Sequence, residues 1–247
     1  NNIEIYPSSI YSNKIVEIMK EGSNTAFNYN PLITQTSIGY MDSIQNVLIA
    51  NTENLFVTDE RTRCRLSVNA VASNENEKQI GYFGPGAMKG IEFLDTINIK
   101  NIATEAARSA VTMLNAKDCP SGKMPVIMDN GFGGVIFHEA CGHGLEADAI
   151  AKKASVFTDK IGEKIASDKV TAIDDGTISN SWGSINVDDE GIPAQKNILI
   201  ENGVLKNYMV DRFNGNKIGM KPTGSSRRES YKFIPASRMT NTYIIIT

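Results

Sequence analysis

Residues 61–72, RTRCRLSVNAVA, alternate in polarity: Cys64, Leu66, Val68 and Ala70 stand between Arg63, Arg65, Ser67 and Asn69. A period of two places the apolar set on one face of a strand and the charged and polar set on the other. The segment therefore calls for a sheet with one face in a core and one face in water. Three more runs, LITQTSIGY, NVLIAN and LFVTD, extend the strand pattern across the region from Leu32 to Phe83. A helical stripe follows, in which Ala103, Ala106, Ala107, Ala110, Val111 and Leu114 recur at helical spacing from about Asn101, with Asn101 as the expected cap. Upstream, Tyr11, Ile15, Ile18 and Met19 follow Ser8 and Ser9, and Gly22 reads as a stop, which predicts an amphipathic helix over residues 8 to 21.

GYFGPGAMKG reads as loop, and DCPSGKM gathers turn formers that place a domain boundary near residues 117 to 123. A short strand, PVIMD, comes next, and then the glycines of GFGG turn the chain into a helix carrying HEACGHGLEADAI. The remainder is mostly β, and Asn202-Gly203 between the apolar runs NILIE and VLKNYMV predicts a hairpin. No repeat or low-complexity tract interrupts it.

Several function classes fall away on composition. The 25 Lys and Arg are scattered among 28 Asp and Glu, with only Arg227 and Arg228 adjacent in an acid-poor stretch, which disfavours direct nucleic-acid binding. No apolar run approaches the ~20 residues of a membrane span, and the first residues have neither a basic nor a hydrophobic signal segment. The three cysteines, Cys64, Cys119 and Cys141, are odd in number and far apart, as expected of reduced thiols in a cytoplasm. The chain opens on Asn1 and stops inside the strand-like YIIIT, which reads as a fragment at both ends.

The two histidines of the chain are His138 and His143, five residues apart in HEACGH, with Glu139 directly after the first. In the common zinc motif the histidines are four apart and share a helical face. Five residues on a regular α-helix turn the second imidazole about 140° from the first, so one ion is shared only if the helix bulges or ends there. Gly142 and Gly144 are expected to supply the non-helical dihedrals that swing His143 back. The spacing leaves open a core role in which each imidazole bonds buried carbonyls.

HEACGHGLEAD, TAIDDGT, DDEGIPAQKNILIENGVLKNYM, PTGSSRRESY and RMTNTY, taken together and in this order, resemble the TldD/PmbA family, once called modulators of DNA gyrase. That resemblance is strong over residues 138 to 243 and looser upstream, where RCRLSVNAVA and the alanine-rich helix resemble the family's central domain. It implies an α+β fold, with a mixed-sheet central domain and helices over residues 1–120, including a remnant of an N-terminal domain. A truncated, mostly β catalytic domain follows over 121–247, carrying a glycine-preceded metal-binding helix. It implies a zinc-dependent peptidase acting on unfolded polypeptides, with His138 and His143 as Zn2+ ligands and Glu139 as general base. The family's third ligand is a cysteine thiolate far downstream of RMTNTY, outside this sequence. The family also implies a homodimer, or a heterodimer with a metal-free PmbA-like relative, and leaves two rivals: a non-catalytic peptide-binding subunit and an inactive proteolytic fragment.

Around the motif, Cys141 reads as a small buried thiol in preference to a substitute ligand, and Glu146 either fixes an imidazole or caps the following loop. RMTNTY and Arg227-Arg228 offer polar contacts to a peptide, or else form a β segment and a solvated loop.

Overall fold

A computed structural model describes residues 3–7 and 12–246, and within them the side chains of all but residues 12, 132 and 246. The chain divides into two compact units: one takes the described residues of Asn2–Gln45 and Arg61–Pro125, the other those of Asn46–Glu60 and Val126–Thr247. Both helices and antiparallel sheets are present, so the fold is α+β.

In the first unit a helix, α1 (Ser12–Phe27), precedes two long strands, β1 (Ile33–Ala50) and β2 (Phe56–Ser73), whose distal residues 46–60 belong to the other unit. The four separate strand runs of the sequence are thus two continuous strands. Strand β3 (Lys78–Phe83) and the short β4 (Gly86–Ala87) both pair antiparallel with β2. The alternation on β2 comes out as expected, with Cys64, Leu66, Val68, Ala70 and Ala72 buried. They share a core with Ala103, Ala106, Ala107 and Ala110 of helix α2 (Ile99–Leu114). Small residues let the helix lie close to the sheet, and Gly81 on β3 makes the closest approach: a Cβ there would stand 1.9 Å from the Ala106 carbonyl oxygen.

Two helix boundaries differ from expectation. Helix α2 starts at Ile99 because the Asn98 side chain, not that of Asn101, is the cap, accepting a hydrogen bond from the Asn101 N–H at 3.1 Å. Helix α1 runs through Gly22 to Phe27, since Gly22 opens space for Ile99, whose Cδ1 would lie 2.8 Å from an added Cβ. Residues 8–11, with the expected caps Ser8 and Ser9 and with Tyr11, lie outside the described residues.

The second unit is organised by an antiparallel sheet in the order β10-β5-β6-β7: β5 (Val170–Asp175), β6 (Lys196–Glu201), β7 (Val204–Leu205) and β10 (Thr242–Ile246). Strands β6 and β7 close through Asn202 and Gly203, both at positive φ, 49° and 79°, as the Asn-Gly signal predicts. Two further strands, β8 (Ser226–Arg227) and β9 (Ala236–Ser237), form a separate ribbon. The core of this unit joins Leu145, Ala147, Ile150, Leu199, Leu205, Met209, Val210 and Met239, each large apolar side chain worth ~1.5–3 kcal/mol on burial.

Fully buried aspartates fasten the loops: Asp188 accepts from the backbone N–H groups of Glu190, Ile192 and Ser226. Asp211 accepts from Asn214 and Ser237, and it caps helix α5 (Arg212–Ile218). The expected strand PVIMD is not paired: residues 125–129 join no ladder among the described residues, and Ile127 is fully exposed. An extended apolar run becomes a strand only with a neighbour to take its backbone hydrogen bonds. No helix among the described residues is long and apolar enough to cross a membrane.

Candidate metal centre

The segment from Gly131 to Leu145 changes helical pitch three times. A 3-10 turn at Gly131–Gly134 leads into α3 (Val135–Phe137), then a π turn at His138–Gly142, then a 3-10 turn at His143–Leu145. The π turn is closed by the His143 N–H bonding to the His138 carbonyl, an i to i+5 bond. That bond absorbs the extra residue of the five-residue spacing, so the two imidazoles meet on one face. Their ring centroids are 4.8 Å apart with planes at 88°. The ligand atoms of His138, Glu139 and His143 all lie within 4.8 Å of one another, and Glu139 Oε2 is 3.8 Å from His143 Nε2.

The bulge expected from the spacing is present, but its cause differs. His138, Gly142 and His143 all keep right-handed helical dihedrals, with Gly142 at φ −54° and ψ −54°. Gly142 is required for space: a Cβ on it would fall 2.3 Å from the Met239 Sδ, and Met239 is buried in the core of this unit. Gly144 makes similar room for the Phe157 ring, 3.0 Å from an added Cβ. After Leu145 the chain enters helix α4 (Ala147–Ala151), whose Ala147 and Ile150 anchor the segment in the core.

Glu146 answers the question its position posed. It sits at the cap of α4 but makes no side-chain capping bond. Its carboxylate instead accepts from His143 Nδ1 at 3.2 Å and from an Arg238 guanidinium nitrogen at 3.0 Å. With Nδ1–H donating to Glu146, the Nε2 lone pair of His143 points toward the side shared with Glu139. Glu146 is buried, which pushes its carboxyl above the ordinary range, while Arg238 and His143 pull it back down. Burial likewise pushes His138 below its ordinary value, and positive charge at His143 and Arg227 acts in the same direction against the pull of Glu139. A neutral imidazole at neutral pH is the form that binds a metal.

Two imidazoles and a carboxylate converging on one point, with one imidazole oriented by a buried carboxylate, are a donor set suited to a divalent ion of the zinc type. Cys141 stands outside that group, half-buried against the core with its thiol pushed up by burial, in keeping with a packing role.

RMTNTY is largely used internally. Arg238 holds Glu146, and Met239 fills the space at Gly142. The Thr240 N–H and hydroxyl donate to Asp174, while Asn241 bonds Asp175, Gly183 and Ser184. Arg238 as the partner of Glu146 has no signal in the sequence, because the two are 92 positions apart. Arg227 and Arg228 stay exposed on the β8–β9 ribbon.

Residues 5–114 match the PmbA/TldA metallopeptidase central domain, and residues 121–245 match the C-terminal domain of the same family. A metalloprotease TldD homolog of Buchnera aphidicola from Acyrthosiphon pisum is 41% identical over 220 residues, covering 86% of this chain and 46% of the relative. One of Haemophilus influenzae is 39% identical over 242 residues, covering 96% of this chain and 50% of the relative. The chain thus spans about half the length of the curated relatives it matches. A crystal structure of a Thermotoga maritima protein, described as a modulator of a DNA gyrase, superposes with a TM-score of 0.82 at 24% identity. That match covers 99% of this chain and 55% of the other and shows a shared fold. The chain belongs to the TldD/PmbA family of metallopeptidases.

Proposed function

We propose that the protein is a zinc-dependent peptidase in which His138 and His143 hold the ion and Glu139 is the general base. The observation that carries this reading is the π turn, which brings both imidazoles and the carboxylate to one point that a regular helix would split. A zinc ion bound there supplies Lewis-acid polarisation of the scissile carbonyl and makes a nucleophilic water available near neutral pH. Catalytic zinc takes three protein ligands, and the histidines provide two; the third is the downstream cysteine thiolate that the family resemblance implies. Glu139 is exposed, with its carboxylate 3.8 Å from His143 Nε2, and takes a proton from the attacking water and hands it to the leaving amine. Glu146, fixed by Arg238, keeps the His143 ring turned toward the ion.

The substrates of this reading are unfolded polypeptides added as a strand to a sheet edge, read mainly through their backbone. The active assembly is a dimer, either of two such chains or with a metal-free PmbA-like relative. A reducing cytoplasm suits the three free thiols, Cys64, Cys119 and Cys141. The test is Glu139→Gln in zinc-loaded protein, with metal content read by plasma mass spectrometry and cleavage by digestion of reduced, alkylated casein. Zinc is expected to stay at the wild-type level while cleavage falls by about a hundredfold or more; cleavage at the wild-type rate removes Glu139 from the reaction.

A further inference from the structure

Three arginines share one cavity. Arg227, Arg228 and Arg238 line a space of about 450 Å3 together with Glu229, Phe233 and Ile234. The cavity lies at the β8–β9 ribbon, where Arg227 pairs with Ala236 in register. Each arginine is used differently. Arg238 is committed, through Glu146, to the orientation of His143, so the cavity shares a residue with the metal centre. Arg228 shapes the loop, donating from its side chain to the Phe233 carbonyl and from its backbone N–H to Asp189. The Arg227 side chain is exposed and has no hydrogen bond or ion pair among the described residues.

The charge of Arg238 is offset by Glu146, so Arg227 and Arg228 carry the excess positive charge of the cavity, and the single acid in its lining, Glu229, is exposed and bonds neither of them among the described residues. Such an arrangement is relieved by an anion with two oxygens in a plane, because the guanidinium fork matches a carboxylate bidentately. Phe233 and Ile234 are exposed apolar side chains at the same cavity, suited to the methylenes beside such a group.

We propose that this cavity receives a carboxylate of the peptide substrate and that Arg227 is the residue that selects for it. The carboxylate comes either from a Glu or Asp side chain or from a peptide C-terminus, and both present the same two oxygens to the fork. The proposal rests on the peptidase reading, since it gives that site a substrate preference.

Binding separates the two claims. Dansyl-labelled peptides that differ only in Glu against Gln, and in a free against an amidated C-terminus, are titrated with EDTA-treated protein by fluorescence anisotropy. One of the two carboxylates is expected to tighten binding by about tenfold, the range of a charge-assisted pair. A loss on the Gln exchange assigns the side chain as its source, and a loss on amidation assigns the C-terminus. Arg227→Gln should abolish the difference and Arg227→Lys should keep part of it. Equal binding of acidic and neutral peptides, or a preference that survives Arg227→Gln, overturns the proposal. Because EDTA-treated protein neither cleaves nor holds metal, this result stands apart from the cleavage assay: absence of casein cleavage by the zinc-loaded wild-type protein sinks the peptidase reading and leaves the binding difference measurable.

Discussion

Asp174 makes stability depend on pH in a way that a single substitution can isolate. Its carboxylate is fully buried, accepting the Thr240 N–H at 2.7 Å and the Thr240 hydroxyl at 2.9 Å. Burial pushes its pKa from 3.8 to about 6, with neighbouring Asp175 adding to the rise and Thr240 and Arg227 opposing it. A carboxyl whose folded pKa is raised binds its proton more tightly folded than unfolded. Its contribution is therefore complete below 3.8 and is lost as pH climbs through about 6. At 1.36 kcal/mol per pKa unit, the loss is on the order of 2–3 kcal/mol. Asp174→Asn removes the titration and keeps the geometry, since the amide oxygen accepts from the Thr240 N–H and the amide nitrogen can donate to its hydroxyl. Urea unfolding in EDTA, followed through the single tryptophan, Trp182, at a series of pH values from acid to neutral, gives the comparison. The variant should gain on wild type by that amount between about pH 4 and pH 7. A stability difference that stays flat over this window refutes the reasoning.

Two further outcomes follow from the site. Glu146→Gln leaves His143 without its carboxylate partner and is expected to weaken zinc binding by about 10- to 100-fold in competition with a chromogenic chelator; unchanged affinity means that the Glu146 contact does not hold the ring. Gly142→Ala puts a methyl against Met239 and should destabilise by about 1–3 kcal/mol in urea titration. Most of that should be recovered in combination with Met239→Ala, and purely additive effects would show that the clash lies elsewhere.

The candidate metal centre is legible in the sequence because its chemistry is concentrated: both histidines and a glutamate lie within six residues. That a regular helix cannot serve is legible too, since 3.6 residues per turn is a fixed geometry. The role of Gly142 is not, for its dihedrals are ordinary and its missing side chain makes room for Met239, 97 positions later. The same limit runs through the other differences. Alternation on β2 and the Asn-Gly hairpin depend on near neighbours and were legible. The passage of α1 through Gly22 depends on Ile99, the unpaired state of residues 125–129 on the lack of a partner strand, and the grouping of residues 46–60 with the second unit on contacts far along the chain. Thr240 and Asn241 looked available to a ligand because Asp174, Asp175 and Ser184, which occupy them, cannot be matched to them by spacing.

The reach from Glu146 to Arg238 also sets an order of events during synthesis. A ribosome delivers His138 and His143 first and the arginine 92 residues after Glu146, a delay of roughly 5 to 20 seconds at ordinary elongation rates. Throughout that interval the glutamate lacks its cation and the second imidazole lacks a fixed anchor. The nascent polypeptide therefore emerges with His143 untethered, and the segment just after β9 supplies the cation that fixes its partner.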